Sequence, residues 1–422
     1  MQIIENSKIK EKLYTEKLKN GLTIMVIPKK TRKKFIIWGT KFGSIDNKFI
    51  APGEKDITVM PDGIAHYLEH KLFEQESGKN SLDTLSALGV DANAYTTNNH
   101  TAYLYECTDN FYEALDEFMN YVQSPYFTDE NVNKERGIIE QEIMMYDDYP
   151  EWVMYMNAMK AMYKNNEINV DVAGTKETIA EIDKEKLYKI YNSFYKPSNM
   201  IIVVSGDFEP TDIINILKSK ITMNEIKEET KRIYNSEPDE IVKSKVQKNM
   251  DISMPCFMIG YKDNNFCKNK VKRDIAIDII SNVVLGNSTE FFKKLYEDGK
   301  ILSEPSMFYE FAETYSHVLI QGQTNFVDEV IFAIEDEFEK IKNNGINDDD
   351  FERSKKKIYG ELVKSYNDVS AIANSFLSNY FKNINPFDYF EEFECINKEY
   401  VEGILKEIFN KEKRVISIIN PN

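Results

Sequence analysis

One stretch decides how this chain is interpreted: Ala65-His66-Tyr67-Leu68-Glu69-His70-Lys71-Leu72-Phe73-Glu74. It contains two of the four histidines in the chain, His66 and His70, with Glu69 directly before the second. Residues four apart share one face of an α-helix, so both imidazoles can reach a single metal ion. Glu69 borders the same face and can hold a water molecule on that ion. The spacing therefore predicts a metal site carried by a helix.

The pattern has a plainer explanation as well, because an amphipathic helix can carry two histidines without any chemical role. A catalytic zinc site needs three protein ligands and one open position. The third ligand should be a carboxylate from another segment, and the predicted helix 128–148 is the richest source of them. Glu135 and Glu142 on this helix are two turns apart and share a face, whereas Glu140 points elsewhere.

The order His-x-x-Glu-His is the inverzincin motif, the reverse of the more common zinc-peptidase motif. With it the chain resembles the pitrilysin/insulinase family of zinc peptidases, which includes the mitochondrial processing peptidase. That family places its third ligand roughly 70–80 residues after the second histidine, in a Glu-Arg-x-x-x-x-x-Glu pattern. Here 71 residues separate His70 from Glu142, and Glu135 begins the pattern. The resemblance implies one Zn²⁺ per chain bound by His66, His70 and Glu142, with Glu69 as general base and Glu135 in a supporting catalytic role.

The segment 93–96 resembles the edge strand with which the family holds its substrate backbone. This implies that Asn93 and Ala94 bind a peptide that adds to the sheet as a further strand; an ordinary strand is the alternative. Asn93 and Tyr103, together with Glu135, are candidates for orienting the histidine rings. The remaining histidines, His100 and His317, are isolated on strand-like stretches and are expected to be structural or on the surface.

The order of elements predicts an α+β fold of two homologous halves, each an antiparallel or mixed sheet packed against helices. The predicted domains are an N-terminal zinc-binding half (1–221), a charged linker (222–246) and a C-terminal half without a metal motif (247–422). In the first half, hydrophobic periodicity and turn residues predict these segments: strands at 22–27, 34–42, 90–97, 101–107 and 200–206, a loop at 43–62, and helices beginning at 61 or 62 and at 81–88, 110–123, 128–148, 150–163 and 177–194.

Composition excludes several classes of protein. The net charge of −17 argues against a nucleic-acid partner, which would require a basic surface. The sequence contains no run of 18 or more apolar residues, so no membrane span is predicted. The first residues lack the apolar centre of a signal peptide. Four scattered cysteines (Cys107, Cys256, Cys267 and Cys395) are typical of reduced thiols in a cytoplasmic protein.

The second half departs from the family at one place. Family members commonly carry an Arg and a Tyr, seven residues apart, after a Gly-x-x-Ser turn, and both groups assist catalysis. The corresponding stretch here begins at Gly286 and has Tyr296 at the Arg position and Ser303, beside Leu302, at the Tyr position. The resemblance therefore implies that a related subunit supplies the pair in a heterodimer, and that a homodimer would be weakly active or inactive.

The expected function is a zinc-dependent endopeptidase that cleaves peptides or unstructured segments, such as a leader peptide. The alternative is a non-catalytic subunit that binds peptides or serves assembly of a two-subunit peptidase.

Overall fold

A computed structural model describes residues 1–226, 228–264 and 269–422, so Cys267 lies outside the described residues. The strands in these ranges are β1 (Gln2–Asn6), β2 (Glu11–Lys17), β3 (Thr23–Pro28), β4 (Lys34–Thr40), β5 (Lys48–Ile50), β6 (Thr58–Val59), β7 (Asp91–Thr96), β8 (Thr101–Cys107), β9 (Met200–Gly206), β10 (Lys231–Arg232), β11 (Lys245–Met250), β12 (Cys256–Lys262), β13 (Ser306–Phe311), β14 (Ser316–Gln323) and β15 (Arg414–Pro421).

The helices in the same ranges are α1 (Ile64–Leu72), α2 (Ser81–Ala87), α3 (Phe111–Gln123), α4 (Asp129–Asp147), α5 (Pro150–Met162), α6 (Lys176–Ala180), α7 (Lys184–Phe194), α8 (Pro210–Lys220), α9 (Lys270–Leu285), α10 (Glu290–Glu297), α11 (Val327–Asn344), α12 (Asp348–Ser365), α13 (Val369–Phe381), α14 (Asp388–Cys395) and α15 (Lys398–Ile408). None of these helices is long and apolar enough to cross a membrane. The mixture of sheets and helices confirms the predicted α+β fold class.

The first compact unit comprises 1–143, 171–234 and 363–386. Its main sheet has seven strands in the order β1-β2-β3-β9-β4-β8-β7. Only β3 and β9 pair in parallel, and every other neighbouring pair in this sheet is antiparallel. The apolar run of β9 is buried along its whole length, as expected for a central strand covered on both faces. At the other extreme, β7 forms one edge of the sheet.

The two faces of this sheet are covered by different helices, because successive residues of a strand point to opposite sides. Ile36 and Trp38 of β4 belong to the same buried core as Tyr67 of α1. Gly39 faces the other way, where α13 packs so closely that a Cβ atom at this position would lie 2.7 Å from Leu377 Cδ1. Any larger residue here would therefore require the Leu377 side chain to shift.

The second compact unit comprises 144–170, 235–362 and 387–422. Its sheet has the order β11-β15-β12-β14-β13, and only β11 and β15 pair in parallel. Arg273 of α9 is buried and binds Asp263 through two hydrogen bonds, so the charge of the guanidinium is compensated inside the unit.

Neither unit is continuous in sequence, because 144–170 belongs to the second unit and 363–386 to the first. The predicted domains 1–221, 222–246 and 247–422 describe two related halves that follow each other in the sequence. This division stays a prediction. Within the predicted linker, β10 pairs with β5. Arg232 of β10 also donates to the buried Asp46 at 3.0 Å, which ties this stretch to the first unit.

Several local predictions were wrong or incomplete. The segment 43–62, predicted as a loop, contains β5 and β6. The helix predicted over 177–194 is two helices, because the Asp183 side chain accepts from Lys186 N at 2.8 Å and caps a new helix. The β1–β2 hairpin and α8 and α14 were not predicted from the sequence.

Candidate metal centre

The start of α1 is fixed by a glycine. Gly63 is the N-cap residue, with φ +87° and ψ −8°, a conformation that residues with a Cβ atom rarely adopt. A Cβ atom here would lie 2.4 Å from the carbonyl oxygen of Ala173, so the two backbones touch. The opposite side of the helix is anchored by the buried side chains of Tyr67, Leu68 and Leu72. The position of His66 and His70 is therefore set by packing along the whole helix.

The two predicted histidines and Glu142 of α4 meet in space. Glu142 Oε1 lies 3.6 Å from His66 Nε2, and Glu142 Oε2 lies 3.4 Å from His70 Nε2. One ligand atom from each of the three residues lies within 4.8 Å of the others, and no second such group of His, Cys, Asp and Glu occurs among the described residues. Ligands about 2.1 Å from a tetrahedral ion lie about 3.4 Å apart, so this donor set fits Zn²⁺.

Glu135, two turns before Glu142 on α4, contacts the far side of a histidine. Its Oε1 lies 3.0 Å from His70 Nδ1, which leaves Nε2 of the same ring to face Glu142. A carboxylate in this position fixes the tautomer and orientation of a ligating histidine. His66 Nδ1 is buried and has no hydrogen-bond partner in the described part of the chain.

Glu69 lies between the two histidines in sequence and is 7% exposed. Thr96, the last residue of β7, donates a hydrogen bond to Glu69 Oε2 at 2.6 Å and so fixes the carboxylate. Burial raises the pKa of Glu69, while the nearby His66 and the hydrogen bond from Thr96 oppose that shift. The carboxylate is thus more basic than one in water, which suits a group that accepts a proton.

The ligand-type side chains are strongly coupled. Hydrogen bonds to His66 and His70 hold the pKa of Glu142 well below its usual range. Burial lowers the pKa of His70, but the hydrogen bonds to Glu135 and Glu142 outweigh it and raise that pKa to about 10. Both shifts follow from one arrangement, in which carboxylates surround a position suited to a cation.

The predicted substrate residues lie on β7, beside this group. Asn93 is exposed, and its side-chain oxygen accepts a hydrogen bond from Ala94 N at 2.8 Å. Asn93 also lines a cavity of about 490 Å³ together with Glu69, His70 and Glu135. Because β8 is the single strand paired with β7 among the described residues, half of the backbone groups of β7 point away from the sheet.

The other predicted side chains lie elsewhere. Tyr103 is fully buried, and its hydroxyl is 2.9 Å from that of Tyr195, so it does not orient the histidines. His100 is buried against Tyr95 and Phe381. His317 is buried in the second unit, with Nδ1 2.9 Å from the hydroxyl of Tyr163. The two isolated histidines are therefore structural.

Sequence reasoning did not assign a role to two residues that support the group. Thr96 was visible only as the end of a predicted strand, and its contact with Glu69 depends on how β7 packs on α1. Lys71 stands inside the quoted motif, yet its side chain is 0% exposed and lies 3.8 Å from Glu135 Oε2. The sequence offered one signal for the role of Lys71, namely that this charged residue directly follows the ligand candidate His70.

Two imidazoles and one carboxylate are also the donor set of known zinc-peptidase sites. Two family models match most of the chain: "Insulinase (Peptidase family M16)" over residues 58–176 and "Peptidase M16 inactive domain" over residues 181–358. The chain belongs to this family, the M16 or insulinase family of peptidases. The family model whose description says "inactive domain" covers residues 181–358, which contain no His-x-x-Glu-His motif.

Individual relatives extend over nearly the full chain. The "Uncharacterized zinc protease YmfH" of Bacillus subtilis (strain 168) is 34% identical over 99% of both chains. The "Probable mitochondrial-processing peptidase subunit beta, mitochondrial" of Arabidopsis thaliana is 20% identical over 85% of this chain and 71% of its own. A crystal structure of an M16-like peptidase from Alicyclobacillus acidocaldarius superposes with a TM-score of 0.93 and 29% identity, covering 99% of this chain and 100% of that one.

Proposed function

We propose that this chain is a zinc-dependent endopeptidase that cleaves peptides or unstructured segments, such as a leader peptide. The observation that carries the proposal is the convergence of His66, His70 and Glu142 within 4.8 Å, with Glu69 beside them. His66 and His70 would bind one zinc ion through Nε2, and Glu142 would bind it through its carboxylate. When bound, zinc supplies Lewis acidity, which acidifies a water molecule and polarises a carbonyl group.

The proton transfers fall to Glu69. Its buried carboxylate accepts a proton from the attacking water and later delivers that proton to the leaving amine. The hydrogen bond from Thr96 keeps the carboxylate in place during both transfers. Glu135 acts behind the ligands, because its contact with His70 Nδ1 holds a proton on that nitrogen and directs Nε2 of the ring at the ion.

The substrate would bind along β7 as an additional strand. The free edge of this strand offers backbone N–H and C=O groups to any peptide, with Asn93 and Ala94 nearest the centre of the strand. A flexible peptide adopts such an extended segment readily, whereas most segments of a folded protein are held in its own structure. This accounts for the proposed preference for unstructured substrates.

The active unit is proposed to be a heterodimer with a related subunit. A homodimer of this chain is proposed to have weak or no peptidase activity. At the positions where the family carries its Arg and Tyr, Tyr296 is 55% exposed, and Leu302 beside Ser303 is 69% exposed. Support also comes from the Arabidopsis relative, which is named as one subunit of a processing peptidase. Peptide and partner subunit are thus the proposed partners.

A cytoplasmic location is proposed from the thiols. Cys107, Cys256 and Cys395 are free cysteines in the structure. Free thiols persist in reducing compartments and are less common in secreted proteins.

The proposal is tested with the purified full chain and two substitutions. Glu142→Gln should reduce zinc content from about one ion per chain to near zero, since a three-ligand site loses its only carboxylate. Glu69→Gln should retain zinc and lose cleavage of an unstructured peptide, measured with and without co-purified partner. Glu140→Gln, on the same helix as Glu142, is the matched control and should change neither. A wild-type chain that stays metal-free in zinc buffer would refute the proposal.

A further inference from the structure

Lys71 is the residue of the metal helix that the proposed mechanism leaves without a role. It directly follows His70, and its side chain is 0% exposed. Lysine is almost never fully buried unless it is paired, because removing an ammonium group from water is costly. An apolar side chain would fill the same space without that cost, so the charge itself needs an explanation.

The ammonium group has two carboxylate partners. Lys71 donates a hydrogen bond to Glu74, just beyond the end of α1. Its Nζ also lies 3.8 Å from Oε2 of Glu135, and the other oxygen of Glu135 lies 3.0 Å from His70 Nδ1. Glu135 is thus contacted from both sides, by a ligand-type histidine on one oxygen and by a buried cation on the other.

Consecutive residues of a helix do not face each other, so Lys71 acts on His70 only through a group that reaches both. Glu135 is that group. Without the ammonium, the partly buried carboxylates of Glu74 and Glu135 would lose the cation that both of them contact, and their mutual repulsion would move Glu135 away from His70.

We infer that Lys71 is a positioning residue of the metal centre, which acts through Glu135 to keep His70 in the orientation that binds the metal ion. The inference rests on the proposed function, since it concerns the same site. A lysine that merely offsets buried charge would affect stability alone. The positioning role predicts a change in metal binding that depends on Glu135.

The probe is Co²⁺, whose visible absorption reports the arrangement of the ligands and whose affinity is measured by competition with a chelator. Lys71→Met should weaken Co²⁺ binding about 10-fold or more, the range found when a residue behind a metal ligand is removed. The absorption band should also change shape. Lys71→Arg, which keeps the charge, should restore part of the affinity, and Lys79→Met, at an exposed lysine, should bind as the wild type does.

The decisive comparison is made in the Glu135→Gln background. If Lys71 acts through Glu135, adding Lys71→Met there should weaken binding less than threefold further, because the two effects are not additive. Should Lys71→Met fail to fold, Lys71→Gln, which keeps a hydrogen-bond donor, is measured in both backgrounds instead. Unchanged affinity and spectrum in the single variant, or an equal loss in both backgrounds, would overturn the inference. A wild-type chain that binds no Co²⁺ would instead refute the proposed function itself.

Discussion

Replacing Gly63 by alanine should destabilise the first unit and displace the helix that carries both histidines. A Cβ atom at this position would lie 2.4 Å from the carbonyl oxygen of Ala173 and 2.9 Å from its carbonyl carbon. The left-handed conformation alone costs alanine about 1–2 kcal/mol. Forcing the two backbone segments apart adds about 1–3 kcal/mol, as in other overpacked sites. The expected loss in the free energy of unfolding is therefore about 2–5 kcal/mol.

Gly78 offers a matched control. It has a similar φ of +75°, but nothing lies within 4 Å of the position that a Cβ atom would take. Gly78→Ala should therefore cost only the conformational part, about 1–2 kcal/mol. The difference between the two variants isolates the contact with Ala173.

The assay uses the fact that the chain has two tryptophans. Trp38 is fully buried in the first unit and Trp152 belongs to the second, so a Trp152→Phe background lets fluorescence report the first unit alone. Urea unfolding then gives the free-energy change for each variant. If Gly63→Ala and Gly78→Ala agree within about 0.5 kcal/mol, below the smallest overpacking cost expected, the close approach does not constrain α1 and the reasoning fails.

Three further predictions concern separate contacts. Thr96→Val removes a hydrogen bond to the charged Glu69, worth about 1.5–3 kcal/mol, so peptide cleavage should fall about 10–100-fold with metal content unchanged; an unchanged rate would contradict this. Arg232→Met leaves the buried Asp46 without its cation and should lower the free energy of unfolding by about 3–5 kcal/mol in urea titrations, whereas a loss of less than about 1 kcal/mol would show that the pair is unimportant. Burial lowers the pKa of His100 to about 3, so the unfolded chain binds the extra proton below about pH 6.5 and stability falls as the pH decreases. Between pH 6 and 4 this should amount to about 1.4 kcal/mol per pH unit, and His100→Gln should remove that part of the slope; an identical slope in the variant would refute it.

The metal group could be predicted because its geometry is local to two helices. The four-residue spacing of His66 and His70, and the seven-residue spacing of Glu135 and Glu142, each place two side chains on one helical face whatever the rest of the fold does. The structure brings both faces together. The contact between Thr96 and Glu69 could not be predicted, because it depends on the packing of a strand against a helix.

The limits of sequence reasoning in the fold have a similar cause. Long apolar or alternating segments such as β9 and β4 were found, whereas the short β5 and β6 carry too few residues to show any periodicity. The periodicity along 177–194 also concealed the break at Asp183, because the residues on both sides keep a helical pattern. The break lies where α6 ends at Ala180 and Asp183, in an extended conformation, caps α7.

The position of α13 has a consequence for synthesis of the protein. The sheet beneath the metal site is covered on one face by residues 363–386, which the ribosome makes long after residue 234. At about 5–20 residues per second, the uncovered face of β4 around Gly39 would wait roughly 7–29 s after residue 234 for Leu377. During that time the nascent chain exposes apolar sheet surface, so the first unit cannot complete its fold until most of the second unit has been synthesised. Its folding is expected to depend on chaperones during translation, and a chain truncated before α13 should aggregate.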